Sequence, residues 1–219
     1  MTLSGTNTLS DNCIVSSAEH GAGAGAGVYI EGGTADLTGC TISGSHHAYS
    51  GGAVYVNAGT VGITDATLSG SHNVYEGGAL YVNNGTVTLN NTTIKQCTTA
   101  IYSGAGIYTN GGSLVFSGTA STIGGSAADK NVAYEGGGIY VNGGTVTINV
   151  APIISYNTAT TNGGGVYVAS AGNISSMVPW TISYNKATNN GGGIYNLGTL
   201  SLKGTTTITN DTADGSGGG

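Results

Sequence analysis

Apolar and polar residues alternate along this chain in short runs, and the runs return. "GVYIEGGT" (27–34) comes back as "AVYVNAGT" (53–60), "ALYVNNGT" (79–86), "GIYTNGGS" (106–113), "GIYVNGGT" (138–145), "GVYVASAG" (165–172) and "GIYNLGT" (193–199). Each copy carries one anchor tyrosine: Tyr29, Tyr55, Tyr81, Tyr108, Tyr140, Tyr167 and Tyr195, so the repeat is 26 to 32 residues long. A unit holds three alternating runs separated by Gly, Asn or Ser, and nothing in it has the 3.6-residue period of a helix. Three short strands in so short a repeat predict an all-β parallel β-helix, in which each rung returns about 4.8 Å above the last. Eight rungs, counting partial ones, would stand about 38 Å tall.

Neighbours on a strand face opposite ways. Val28, Val54, Leu80, Ile107, Ile139, Val166 and Ile194 therefore point inward, and the tyrosines after them point outward. The second run turns in Val61 and Ile63, Val87 and Leu89, Leu114 and Phe116, Val146 and Ile148, Leu200 and Leu202. The third turns in Ile42, Leu68, Ile94, Ile123, Ile154, Ile182 and Ile208. The glycines before each anchor fall where the chain bends into the first strand. On this pattern "GAGAGAG" (21–27) is a rung corner rather than silk. Asn57, Asn83, Asn110 and Asn142 stand two residues after their tyrosines, where stacked amides can form a ladder. The chain reads as one domain over 1–219, with residues 1–12 an incomplete first rung without an anchor and 215–219 the start of a further rung.

Composition narrows the function. Four Lys, no Arg and ten Asp plus Glu give a net charge of −6, which argues against a nucleic-acid partner. Apolar stretches are too short for a membrane span. The odd cysteine count (Cys13, Cys40, Cys97) argues against a disulfide framework and suits small buried hydrophobes.

"GGAVYVNAGTVGITDATLSGS" and "GGGIYNLGTLSLKGTTTITNDTA" resemble the glycine-rich repeats of polymorphic outer-membrane proteins and microbial adhesin-like β-helix proteins, over residues 21–219. The family's Phe-x-x-Asn half is absent, Phe116 being the one phenylalanine. The resemblance implies a right-handed parallel β-helix, extracellular or on the cell surface, with an adhesive or structural task.

Enzymes on this architecture need clustered carboxylates. Here Glu31, Asp36, Asp65, Glu76 and Glu135 fall at different rung positions. The expectation is a non-enzymatic stalk or filament subunit without a cofactor, self-associating end to end, with a glycan or host-surface ligand possible on the anchor tyrosines. Two alternatives have their own residues. Tyr49, Tyr75, Tyr102 and Tyr134, six before an anchor, form a second tyrosine column suited to a carbohydrate-binding or polysaccharide-acting β-helix, and Tyr156 and Tyr184 a third. Thr60, Thr64, Thr86, Thr88, Thr145, Thr147, Thr199 and Ser201 form a Thr-x-Thr face suited to ice, broken at Gly62 and Val115. His20, His46 and His72 lie nine before an anchor, with His47 and Glu19 adjacent, a candidate zinc or copper column; the same offset leads on to Thr99 and Asn131.

Overall fold

A computed structural model describes residues 1–9, 13–16, 25, 27–46, 49–73, 75–99 and 101–218. Every element among them is a β-strand, and every strand pair is parallel and joins successive rungs. The chain is a parallel β-solenoid. The period forces this arrangement: a strand cannot pair with its sequence neighbour around a corner, so its backbone groups pair one rung up and one rung down.

Three sheets result. The largest holds the first and second strands of each rung, because Ile139–Ile148 and Val166–Ser176 run through both positions and join them. The third strands, from Ile14–Ser16 to Thr207–Thr209, make an eight-stranded sheet. A further two-residue strand follows in six rungs, from His72–Asn73 to Thr212–Ala213.

The anchors pair in register, Tyr29 with Tyr55 and on through Tyr81, Tyr108, Tyr140 and Tyr167 to Tyr195. Inside, Val54, Leu80, Val87, Leu89, Ile94, Ile123 and Ile154 have no exposed surface. Ile208 keeps the inward register of Ile182 but is 37% exposed in the last described rung, and Leu202, just beyond Thr199–Ser201, is 39% exposed. Residues 1–9 take a fuller part than their sequence suggests. Thr2–Leu3 pairs with Tyr29–Ile30, so Thr2 occupies the tyrosine place, and Thr6–Leu9 pairs with residues 34–37.

The cysteine expectation is corrected. Cys13 and Cys40 form a disulfide between neighbouring rungs, with Cα atoms 4.7 Å apart. One repeat length separates them, so the winding stacks them. Cys97 lies in a different column, buried and unpaired, and burial pushes its thiol up to about 12. The odd count therefore hid one pair and one spectator.

Each anchor also needs a bare backbone beside it. Gly51 (φ +64) and Gly136 (φ +59) precede Tyr55 and Tyr140 by four residues, and a Cβ on either would stand 2.8 Å from that tyrosine's own Cβ. The left-handed backbone and the close approach both require glycine. Of "GAGAGAG", only Gly25 and Gly27 lie within the described residues.

Candidate functional site: stacked side-chain columns

A residue at one place in a rung stands about 4.8 Å from its counterparts above and below. Side chains therefore meet copies of themselves, and the outer surface is a set of columns. The anchor tyrosines form the longest. Their ring centroids are 5.2, 4.9, 5.0, 5.1, 4.6 and 5.1 Å apart from Tyr29 to Tyr195. Most pairs are near parallel, within 2° for Tyr108 and Tyr140. Ring faces thus meet ring faces, and Tyr108 and Tyr167 are only 8% and 7% exposed. Burial raises the phenol pKa of Tyr55, Tyr81, Tyr108 and Tyr140, with the charges of Glu31, Glu76 and Glu135 adding to it along the column. The ladder is neutral and its faces are occupied, so a sugar ring has only edges to meet.

The second tyrosine column differs. Tyr49, Tyr75 and Tyr102 stack with tilts of 33° and 34°. The Tyr134 backbone N–H donates to the Tyr102 carbonyl, placing Tyr134 on the next rung. Tyr49 and Tyr134 are 44% and 46% exposed. Tyr156 and Tyr184 stack 4.9 Å apart on left-handed backbone.

Asn57, Asn83, Asn110 and Asn142 stand on the same face as the anchors. Each amide donates to the amide oxygen one rung below at 3.0 Å, and Asn57 reaches the Glu31 carboxylate at 3.5 Å. A second asparagine ladder runs inside the solenoid and was not anticipated. Asn131, Asn157 and Asn185 are at most 1% exposed. The Nδ2 of each donates upward, Asn131 to Asn157 at 2.9 Å, Asn157 to Asn185 at 3.1 Å and Asn185 to Asp211 Oδ1 at 2.9 Å. Each Nδ2 also donates to a carbonyl of the rung below, at Ile94, Ile123 and Ile154. Each side-chain oxygen accepts a backbone N–H as well, so Asn157 Oδ1 takes that of Asn131 and Asn185 Oδ1 that of Asn157.

The histidine column is visible in part. His46 and His72 bridge and stack, with centroids 5.2 Å apart and planes 17° from parallel. Ring lone pairs lie in the ring plane, so these run side by side, and a shared metal would require one ring to turn. Desolvation, then His46, lowers the His72 pKa. His20, His47 and Glu19 lie outside the described residues. Among the described residues no three His, Cys, Asp or Glu side chains converge as a metal would need. The continuation through Thr99 and Asn131 is corrected: His72 registers with Thr98, and Thr98 with Val132. The loop is one residue longer before Tyr108 and one shorter before Tyr140, and the second shift hid the buried ladder by setting Asn131 out of step with Asn157 and Asn185.

The acids are dispersed, each on a structural partner. Asp36 accepts from Thr38, Asp65 from Asn91, Glu76 from Ser50 and Glu135 from Asn162. Lys95 pairs with Asp129 at 3.1 Å. The Thr-x-Thr face resolves into one column of Thr60, Thr86, Ser113, Thr145, Asn173 and Thr199, and another of Gly62, Thr88, Val115, Thr147, Ser175 and Ser201. Among the described residues no helix is long and apolar enough to cross a membrane. No family model, curated protein or solved structure matches the chain.

Proposed function

We propose that this chain is a non-enzymatic structural or adhesive module of an extracellular or cell-surface protein, a stiff β-solenoid that offers its outer columns to another surface. One observation carries the reading: the polar and aromatic side chains are committed to their neighbours along the axis. Rings lie on rings and amides on amides, and Asp65, Glu76 and Glu135 accept from adjacent rungs. Catalysis by paired carboxylates needs two acids facing one substrate atom, whereas these acids face different ways. The disulfide between Cys13 and Cys40 fits an oxidising compartment. The likeness of the units to adhesin-type repeats points the same way.

A second reading rests on the Tyr49, Tyr75, Tyr102 and Tyr134 column, whose tilted and partly exposed rings favour stacking against sugars. A glycan array probed with the wild type and with a Tyr49→Ala/Tyr134→Ala double variant separates the two. Binding that the double variant loses supports the glycan-binding form of the module. Binding by neither leaves a structural spacer. Release of sugar fragments from any arrayed polysaccharide would overturn the non-enzymatic reading.

A further inference from the structure

The fourth place of the buried ladder holds a different residue, Asp211. Asn131, Asn157 and Asn185 each bring an Nδ2 to the glycine two residues before an anchor tyrosine. A Cβ on Gly106, Gly138 or Gly165 would lie 3.3, 3.0 or 3.0 Å from that nitrogen. At the next place stands Asp211, and a Cβ on Gly193 would lie 2.6 Å from its Oδ2. An oxygen therefore occupies the seat that holds an amide NH2 group three times over. That seat is built for a donor. Asn185 Nδ2 faces the carbonyls of Ile154 and Ser183, and the corresponding carbonyls for Asp211 are those of Ile182 and Thr209. Asp211 is 4% exposed, its Oδ1 already accepts from Asn185 N and Nδ2, and its Oδ2 has no hydrogen-bond partner.

We infer that Asp211 is a proton-binding site: its protonated carboxyl replaces an asparagine amide at the fourth place of the buried ladder and holds segment 207–213 against the rung below, and ionisation releases that segment. A carboxylic acid has one acceptor oxygen and one O–H donor, the same complement an asparagine presents here. A carboxylate has only acceptors, and would turn one of them on carbonyl oxygens.

Among the described residues no opposite charge is positioned to favour the ionised form. The charged residues on the elements around Asp211 are Lys186, Lys203 and Asp214, and all three are exposed. The titratable phenol nearby, Tyr184, also points to solvent. Desolvation raises the Asp211 pKa, against the pull of hydrogen bonds from Asn185 and Thr209. The sign follows: a folded pKa above the unfolded one stabilises below the unfolded value, and that contribution is lost as pH rises through the folded value. The segment is tightest in mild acid, the reverse of ordinary acid unfolding.

The test uses the 219-residue chain, its Asp211→Asn and Asp211→Leu variants, and amide hydrogen exchange across 207–213 read by mass spectrometry. At about pH 7.5 Asp211→Asn should exchange at least about tenfold more slowly than wild type, and at about pH 4 the two should agree within about threefold. Asp211→Leu, which removes the charge but supplies neither donor nor acceptor, should exchange faster than Asp211→Asn at both pH values. Equal rates for wild type and Asp211→Asn at the higher pH would overturn the proposal. So would a Leu variant as protected as the Asn variant, since charge removal alone would then explain the gain.

Discussion

Two asparagine ladders climb this solenoid with the same residue, the same rise and nearly the same amide-to-amide distances. Asn83, Asn110 and Asn142 donate at 3.0 Å in partial contact with water. Asn131, Asn157 and Asn185 donate at 2.9 to 3.1 Å with water excluded. The difference is what happens when a rung is lost. Outside, water replaces a missing amide. Inside, nothing does, and each buried amide also takes up a backbone N–H and donates to a carbonyl of the rung below. Geometry alone does not set the worth of a stacked hydrogen bond; the alternative partner does.

The largest effect that would break this contrast between inside and outside is a charge placed on one strand. Ile139→Asp puts a carboxylate among aliphatic side chains at a position 1% exposed and should cost about 4 kcal/mol or more, in effect unfolding the central rungs. Tyr140→Ser, one residue on, should cost clearly less, because the rings of Tyr108 and Tyr167 close over an edge that water reaches. Thermal melts of the two variants check it, and the reverse order would invert the facing of the first strand.

Next comes Asn157→Ala. It removes the acceptor of the Asn131 backbone N–H and of one Asn131 Nδ2 hydrogen, and a donor to the Ile123 carbonyl, all away from water, and should cost about 3 kcal/mol in urea unfolding. A smaller effect sharpens the same point from the other side of the packing. Gly138→Ala would bring a methyl to 3.0 Å from Asn157 Nδ2 and 2.6 Å from the Gly165 carbonyl oxygen, a loss of about 1 to 3 kcal/mol. Least of all, Asn110→Ala on the outer ladder should lower stability by no more than about 1 kcal/mol by the same unfolding measurement.

How much of this was legible in the sequence depended on what varied between rungs. The solenoid, its facing and the outer ladder were legible because anchors and apolar positions recur with the strands themselves. Tyr29 to Tyr195 mark one strand seven times, and Asn57 keeps its distance from Tyr55 as Asn142 does from Tyr140. The buried ladder is separated from the next anchor by a loop that varies by a residue either way, Thr98 standing ten before Tyr108 and Val132 eight before Tyr140, so counting back from the anchors passes over it. A different signal was present. By register, the residues at its two interlocking places lower in the stack are Ala53 with Ser71 and Ala79 with Cys97. Higher up they are Gly106 with Asn131, Gly138 with Asn157 and Gly165 with Asn185. The methyl disappears where the side chain grows, which is a packing correlation between positions far apart in sequence. The Cys13–Cys40 disulfide was missed because cysteines were counted rather than assigned to columns.

The most direct test of the contrast is a pair of double-mutant cycles, one on Asn157 and Asn185 inside and one on Asn83 and Asn110 outside, each residue changed to Ala singly and together and read by urea unfolding. The account predicts a coupling of about 2 kcal/mol or more for the buried pair and below about 1 kcal/mol for the exposed pair. Equal couplings in the two cycles, or a larger one outside, would contradict it.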